Sequence, residues 1–378
     1  MGNKAVKSTI FLDGIRGLAA FYVLIGHARW LLWEGYSEGY VLHPESYNIW
    51  EKFLVYLMSF FRYGHEAVLL FFVLSGFVIH LRYARNLRID PNTSFDHWPF
   101  IKRRARRIIP PLLLAFFVTF SLDCLGIWLS FPIYGQNTPY PNINTNIISD
   151  HSFLTLLGNM SFVMGFYVPV FGTNGPLWSL AYEWWFYMLY PLLYYAIRRS
   201  FLVATIIVSF LYLLVNSLSF KPIIVIEIFS YLPIWWLGVV LAECYASRTQ
   251  RTFKYLIPFG IILFIVPWKT INTNLHAFNQ FLWGLGFMGV FAGLFYFQHK
   301  AKILRPFEIL KPLGDISYSL YVIHMPIIVF ISGILMQANE SMLLPSHFGY
   351  MLLGCIVSLS MAYLAYWLAE RPSLSRDK

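Results

Sequence analysis

Charged residues are scarce in this sequence, and the scarcity argues against a soluble fold. Asp, Glu, Lys and Arg together make up 12% of the 378 residues, whereas hydrophobic residues make up 58%. Soluble globular domains carry about 25% charged and about 45–50% apolar residues. Apolar stretches of roughly 20 residues, the length that a helix needs to cross a bilayer, recur along the whole chain. The composition predicts an all-α integral membrane protein, with one membrane domain filling residues 1–378 and no appended soluble domain.

Cysteines are few, and the common catalytic motifs are missing. The three cysteines, Cys124, Cys244 and Cys355, lie far apart inside apolar segments and show neither metal-ligand spacing nor a disulfide pattern. The sequence contains no HExxH, Walker, GxSxG or CxxC motif. We therefore expect no metal site and no permanently bound cofactor. Because Asp13 and Arg16 interrupt the first apolar run and no small-residue cleavage site follows it, this run is not expected to be a cleavable signal peptide.

Hydropathy predicts about ten transmembrane helices. The predicted spans are 11–32, 62–83, 108–131, 176–197, 201–219, 226–246, 254–269, 279–298, 313–336 and 347–369. Segment 152–170 is also apolar, but glycine, asparagine and proline residues break it up. We interpret it as a re-entrant or interfacial piece. The stretch from Ser130 to His151 is rich in Asn, Pro and Gly and is typical of an irregular extracytoplasmic loop.

Basic residues are distributed unequally between the two sides of these spans. With the N-terminus inside, most Lys and Arg residues fall in the inside segments, and the outside segments hold only Arg29, Lys52, Arg62, Lys221 and Lys269. Cytoplasmic loops carry such an excess of Lys and Arg, so both termini are predicted to be cytoplasmic. The net charge of +10 then reflects topology, and no nucleic-acid partner is expected.

The first predicted span carries three ionisable residues, which are costly in a membrane and mark function by default. Arg16 and His27 are eleven residues apart, close to three helical turns, so they share a face and lie roughly 16 Å apart along the axis. Asp13 precedes Arg16 by three residues and is expected to pair with it. His27 is a candidate base, because an imidazole can take the proton of a hydroxyl that attacks a thioester; a structural histidine bonded to a neighbouring helix is the alternative. The glycines of this span are expected to allow close approach of another element: Gly14, Gly17 and Gly26.

A second group of polar residues lies in the fourth predicted span. Ser179, Glu183 and Tyr187 follow one another at intervals of four residues and predict a polar stripe on one helix face. Glu183 is a candidate for orienting the His27 imidazole and stabilising its protonated form. Ser179 and Tyr187, together with Asp13, are candidate substrate-binding residues. Structural hydrogen bonds to other helices are the alternative for each.

A cluster of arginines lies at the inside end of the third span, in FIKRRARRIIPPL. Anchoring to anionic lipid is one interpretation of such a cluster. Arg104 and Arg107 also project from one helix face, and two guanidinium groups suit the phosphates of coenzyme A. Weaker candidates, for which helix packing is equally good an explanation, are His80, Ser317, Tyr318, Ser319, Tyr321 and His324.

Taken together, these segments resemble membrane acyltransferase family 3, which includes the bacterial glycan O-acetylases. The resemblance runs from about Leu12 to Pro372 and rests on the order of its motifs. These are Arg16 followed by His27, a GxxxVxxFFVLSGF-like segment at Gly64–Phe77, the arginine pair before Pro110, SLxxExxFY at Ser179–Tyr187, GxISYSLYxxH at Gly314–His324, and Glu370-Arg371-Pro372.

The resemblance implies an O-acyltransferase, most simply an O-acetyltransferase, in the bacterial inner (plasma) membrane. Its donor would be cytoplasmic acetyl-CoA or another acyl-CoA, and its acceptor a hydroxyl of an extracytoplasmic glycan or lipid-linked sugar. It implies that His27 is catalytic, that Arg16 and Glu183 are its partners, and that Arg104 and Arg107 bind the nucleotide phosphates. Whether transfer is direct or passes through an acyl-histidine stays open. The rival interpretation is a polytopic transporter or flippase, although the sequence shows no convincing internal repeat.

Overall fold

Helices make up most of the chain in the computed structural model. The structure describes residues 10–217, 223–247, 250–269, 276–298, 301–339 and 342–375. Within these ranges the only β-pairing is an isolated bridge between Met164 and Val168. The helices are α1 Ile10–Leu31, α2 Ile49–Ser59, α3 Gly64–Ile89, α4 His97–Trp128, α5 Pro141–Asn146, α6 Phe153–Met160, α7 Trp178–Arg199, α8 Phe201–Ser217, α9 Ile223–Ala246, α10 Gln250–Leu256, α11 Ile262–Lys269, α12 His276–Tyr296, α13 Ala301–Ile309, α14 Lys311–Asp315, α15 Ser317–Ala338, α16 Gly349–Ala365 and α17 Arg371–Ser375.

The predicted spans all fall on helices, and the expectation of an all-α membrane protein is confirmed. Seven helices of the described chain are long and apolar enough to cross a bilayer, and they correspond to seven of the ten predicted spans. The other three, 176–197, 201–219 and 254–269, fall on α7, on α8 and on the broken α10–α11 segment. The number of spans stays a prediction. So does the cytoplasmic position of the termini, because residues 1–9 and 376–378 lie outside the described residues.

The segment 152–170 contains only a short helix, as its glycine and proline content predicted. The eight-residue helix α6 is followed by turns in which Phe162 and Gly165 have positive φ values of 56° and 78°. Just before α6, the backbone N–H of Ser152 and the hydroxyl of Thr155 donate to Asp150, which lowers the pKa of that carboxyl group. The helix in this segment is therefore too short to span a bilayer by itself.

The chain divides into two compact units. The first consists of Met1–Arg16, Glu66–Lys102 and Leu180–Pro312, and the second of Gly17–His65, Arg103–Ser179 and Leu313–Lys378. In the first unit α9 packs against α8 and α12, and the second unit includes the packed pair α15 and α16. Each unit is discontinuous in sequence, and the boundaries fall inside α1, α3, α4, α7 and α14.

A buried polar cluster in the first unit lies among aromatic rings, with Tyr190 in contact with His80, Tyr83 and Trp235. His80 is fully buried, with Nδ1 2.8 Å from the Tyr190 hydroxyl and Nε2 2.8 Å from a Glu243 oxygen. Glu243 also accepts a hydrogen bond from Arg88 at 3.0 Å. Because every polar group of this cluster has a partner, its burial is compatible with a stable core. The packing interpretation of His80 accounts for all its contacts.

The second unit is built around α15, which is buried on most of its faces. Near the start of α15, Ser319 donates from its backbone N–H at 3.1 Å and from its hydroxyl at 2.6 Å to the buried Glu370. A backbone N–H in the first turn of a helix has no partner within the helix, so this carboxylate satisfies it. Glu370 thus ties the end of the last predicted span to α15.

The glycines of α1 allow close contacts, as the sequence predicted. A Cβ atom on Gly14 would overlap the backbone carbonyl of Phe307, within the first unit. A Cβ atom on Gly17 would lie 2.5 Å from the backbone nitrogen of Gly314, within the second unit. Small residues let backbones approach this closely in membrane proteins.

Candidate functional site

His27 and His324 form a hydrogen-bonded pair inside the second unit. Nδ1 of His27, on α1, lies 3.0 Å from Nε2 of His324, on α15, and the two rings stack with centroids 5.2 Å apart. His324 is 1% exposed, whereas His27 keeps part of its surface accessible. Of the two imidazoles, His27 is therefore the more accessible one.

Backbone contacts of His324 fix which nitrogen of each ring carries the proton. Its Nδ1 lies 3.0 Å and 2.9 Å from the carbonyl oxygens of Leu320 and Tyr321. A carbonyl oxygen only accepts, so Nδ1 of His324 is the N–H donor, and in the neutral ring Nε2 is left as the acceptor. His27 must then donate from Nδ1, which leaves a lone pair on its Nε2. That lone pair is what a general base requires.

Pro326 disturbs the backbone of α15 just beyond His324. A proline has no N–H, so the carbonyl of Val322, four residues earlier, loses its usual helical partner. The side-chain amide of Asn174 takes this place and donates to the Val322 oxygen at 2.8 Å and to the Thr119 hydroxyl at 3.1 Å. Asn174 is fully buried. The amide therefore fixes the part of α15 that carries His324.

Tyr321 and Ser179 join α15 to the turn that precedes α7. The Tyr321 hydroxyl donates to the carbonyl of Pro176 at 2.8 Å and lies 2.8 Å from Oγ of Ser179. Since the Tyr321 proton is directed to Pro176, Ser179 is the donor of the second bond. Ser179 is 4% exposed. Its hydroxyl has a structural partner, and its predicted role in substrate binding stays a prediction.

Glu183 lies in a polar cluster of the first unit. Its carboxylate accepts a hydrogen bond from the Tyr187 hydroxyl one turn further along α7 and another from the Ser75 hydroxyl at 3.2 Å. Trp235 donates from Nε1 to Ser75 at 3.3 Å. The spacing of four residues thus places Glu183 and Tyr187 side by side, as predicted. These contacts do not test whether Glu183 orients His27 or whether Tyr187 binds substrate.

The remaining predicted residues lie on α1 and α4. Arg16 donates to Asp13 at 3.2 Å, which confirms the pairing predicted from their spacing. Arg104 and Arg107 are half-buried in the first turns of α4. The hydroxyl of Tyr318, on α15, donates to the carbonyl of Ile108 at 3.1 Å, next to Arg107 in the chain. Three roles stay predictions. These are catalysis for Arg16, substrate binding for Asp13, and donor binding for Arg104 and Arg107.

The second unit also contains a buried acid that the sequence analysis did not single out. Asp123, on α4, is fully buried and accepts hydrogen bonds from the backbone N–H and the hydroxyl of Thr173, at 2.9 Å and 2.7 Å. Nε2 of His151 lies 2.8 Å from the same carboxylate. This cluster immediately precedes Asn174, so it holds the segment that positions α15. The sequence feature that could have pointed to this residue is that Asp123 is a single acidic residue within an apolar segment.

Fold and site define a multi-pass helical membrane protein with a part-buried, hydrogen-bonded histidine pair. A family model described as an acyltransferase domain, acyltransferase 3, matches residues 9–369. The chain therefore belongs to the acyltransferase 3 family, as its motifs indicated.

Relatives with curated names are similar over most of the chain. The O-acetyltransferase OatA of Staphylococcus aureus is 25% identical over 96% of this chain and 56% of its own length. The putative peptidoglycan O-acetyltransferase YrhL of Bacillus subtilis is 26% identical over 82% of this chain and 50% of its own length. The O-acetyltransferase PaAT-1 of Phomopsis amygdali is 30% identical over 30% of this chain. The chain thus spans about half the length of the first two relatives. No solved structure matches the chain.

Proposed function

We propose that this protein is a membrane O-acetyltransferase that moves an acetyl group from cytoplasmic acetyl-CoA to a hydroxyl of an extracytoplasmic glycan. The observation that carries the proposal is the unprotonated Nε2 of the partly exposed His27, which follows from the hydrogen bonds of His324. Membership of the acyltransferase 3 family and the names of the O-acetyltransferase relatives support the same reaction. The plasma membrane is the proposed location, and peptidoglycan is the first acceptor to test because YrhL is named for it.

In the proposed reaction, Nε2 of His27 takes the proton of the acceptor hydroxyl while its oxygen attacks the thioester carbonyl. The tetrahedral intermediate collapses, the carbon–sulfur bond breaks, and the coenzyme A thiolate leaves. The thiolate then takes the proton from Nε2, so the products are an acetyl ester and the free thiol. The positive charge that develops on His27 is shared through Nδ1–H with the acceptor nitrogen of His324. Arg16 and Glu183 are proposed as further partners of this step.

The test uses membrane vesicles that contain the protein and measures the transfer of a radioactive acetyl group from acetyl-CoA to the glycan. Acceptor-dependent release of free coenzyme A is expected, together with radioactive acetate that mild base removes from the glycan. A transporter or flippase would release no coenzyme A and transfer no label. Vesicles that translocate a glycan without either product would refute the proposed function.

The donor site makes a separate prediction. Arg104→Ala and Arg107→Ala are each expected to raise the KM for acetyl-CoA by about 10-fold or more, because each removes a charge-assisted hydrogen bond to phosphate. The measurement is the initial rate of transfer against acetyl-CoA concentration.

Two controls accompany this measurement. Lys102→Ala removes an exposed positive charge from the same helix and should leave KM near the wild-type value. S-acetyl-pantetheine lacks the nucleotide phosphates, so the arginine variants should use it as well as wild type does. An equal loss with both donors would show that the arginines act on folding and not on phosphate binding.

A further inference from the structure

A pocket of about 350 Å³ lies at the C-terminal end of α1 within the second unit. Its walls are the last residues of α1, the turn Gly35–Tyr40, the segment 140–146 and Leu344. The volume falls in the range of small-molecule sites, about 300–1,000 Å³. Trp30, which lines it, follows His27 by three residues and so projects from the same side of α1. The pocket therefore begins about one helical turn beyond the candidate base.

Hydrogen bonds hold the walls of this pocket in place. The indole N–H of Trp33 donates to the carbonyl of Ser346 at 2.9 Å, and the backbone N–H of Glu34 donates to that of Pro345 at 3.1 Å. On the opposite wall, the backbone N–H of Leu344 donates to the Tyr140 hydroxyl at 2.8 Å. Gly35 turns the chain at a φ of 58°, a conformation that favours glycine. A site fixed in this way loses little entropy when a ligand binds.

The pocket offers hydrogen-bond donors that have no acceptor elsewhere in the described ranges. Nε of Arg29 is buried without a partner there. The Tyr140 hydroxyl accepts from Leu344, and its own proton has no acceptor among the described residues. The Asn142 amide oxygen accepts from Asn146 at 2.8 Å, while the NH₂ group of Asn142 has no acceptor in the same part of the chain. The pocket can therefore donate hydrogen bonds to oxygen atoms of a ligand.

Carboxylates supply the complementary acceptors. Glu34 and Glu38 both line the pocket, and Glu34 also accepts a hydrogen bond from the Tyr47 hydroxyl. Burial raises the pKa of Tyr140, the Leu344 hydrogen bond opposes this, and the charges of Glu34 and Glu38 add to the rise. Among the described residues that line the pocket, Arg29 is the single cation, so this lining carries an excess of one negative charge. Such a lining disfavours an anionic ligand, since like charges repel.

Aromatic rings complete the lining. Trp30, Trp33 and Tyr36 line the same pocket. An aromatic ring has a negative face that attracts the C–H groups of a sugar ring, while its area supplies apolar burial. Rings together with paired donors and acceptors match a molecule with one apolar face and many hydroxyl groups.

We propose that this pocket binds the acceptor, and that the acceptor is an uncharged sugar unit of the glycan. The proposal rests on the proposed function and deepens it by naming the binding residues and the charge class of the substrate. The sugar lies with one face against the aromatic rings and its hydroxyl groups between Tyr140, Asn142 and the carboxylates. The hydroxyl to be acetylated projects past Trp30 toward His27.

The test compares pocket variants with matched controls that have the same chemistry outside the pocket. Glu38→Gln and Asn142→Ala change pocket residues, whereas Glu45→Gln and Asn137→Ala change exposed residues of neighbouring loops. The acceptor probes are two neutral oligosaccharides, cellotetraose and tetra-N-acetylchitotetraose, and the anionic tetragalacturonate. Acetyl transfer from labelled acetyl-CoA is measured against acceptor concentration.

Wild type is expected to acetylate a neutral probe and to discriminate against tetragalacturonate. Asn142→Ala is expected to raise the KM for the neutral acceptor about 10-fold, with KM for acetyl-CoA unchanged. Glu38→Gln should do the same and also reduce the discrimination against tetragalacturonate. If both variants behave like their controls while transfer proceeds, the pocket assignment is wrong and the proposed function stands. Preference for tetragalacturonate would overturn the charge class, and absence of transfer to the native glycan as well would overturn the proposed function itself.

A binding measurement keeps the pocket testable without turnover. Ser37→Cys, in a Cys124→Ser and His27→Ala background, places one thiol in the pocket and removes an exposed one. A membrane-impermeant thiol reagent added from outside should label Cys at this position, and the neutral probes should slow the labelling. Ser46→Cys in the same background is the control and should be labelled at the same rate with or without sugar. Protection of neither position by any probe would refute the proposal.

Discussion

Replacement of His27 by alanine is expected to lower the rate of acetyl transfer by about 10²- to 10⁴-fold, the contribution of a positioned general base. The reason is that Nε2 of His27 is the unprotonated nitrogen of a fixed pair, and alanine offers no group to take the hydroxyl proton. The loss should fall on kcat, while KM for acetyl-CoA changes little. Initial rates in membranes with equal amounts of inserted protein measure both.

His43→Ala is the matched control for this variant, because His43 is an exposed loop histidine. It should transfer acetyl groups at the wild-type rate. Acid quenching during turnover separates direct transfer from an acyl-histidine intermediate, since only the intermediate leaves label on the wild-type protein. Full activity of correctly inserted His27→Ala would rule out both forms of the mechanism.

The second large prediction concerns His324, which in the proposed mechanism acts on the reaction through His27. His324→Leu removes the atom that accepts the proton of His27 Nδ1 and is expected to lower kcat by about 10²-fold or more. His324→Gln keeps an acceptor oxygen on a side chain of similar length and should retain more activity than the leucine variant. The measurement is kcat for both variants at saturating acetyl-CoA and acceptor.

A purely structural role of His324 predicts a different pattern. The leucine and glutamine variants would then lose activity in proportion to their loss of thermal stability in detergent. If His324 instead acts by fixing the tautomer of His27, glutamine should recover kcat even where the two variants unfold at similar temperatures. His324→Lys offers only donors and should be as inactive as His324→Leu. An active lysine variant would contradict the proton positions deduced from the carbonyls of Leu320 and Tyr321.

Hydropathy and short-range spacing predicted much of this fold. Each predicted span falls on a helix, because a segment without water must satisfy its backbone polar groups internally. The Asp13–Arg16 pair and the Glu183–Tyr187 pair followed from spacings of three and four residues within one helix. Geometry within a helix is periodic, and such contacts need no knowledge of the tertiary fold.

Contacts between helices could not be predicted from the sequence. His324 was one of several polar residues in the same motif. The helical period of 3.6 residues does not indicate which distant helix a side chain contacts. The same holds for Asn174, whose partner is a carbonyl left open by Pro326, and for the pocket, whose walls are assembled from three separate parts of the chain. The single helix carrying His27 was predictable, but the atom that fixes its proton was not.

The separation of the two histidines in sequence has a consequence for biosynthesis. Along the chain, His324 follows His27 by 297 residues, so His27 is synthesised before its partner. In the nascent chain, the tautomer of the His27 imidazole is therefore not fixed until α15 has entered the membrane. A chain that ends before Ser317 lacks α15 and therefore cannot form the pair. The order of residues along the chain thus delays completion of the His27–His324 pair until α15 has been synthesised.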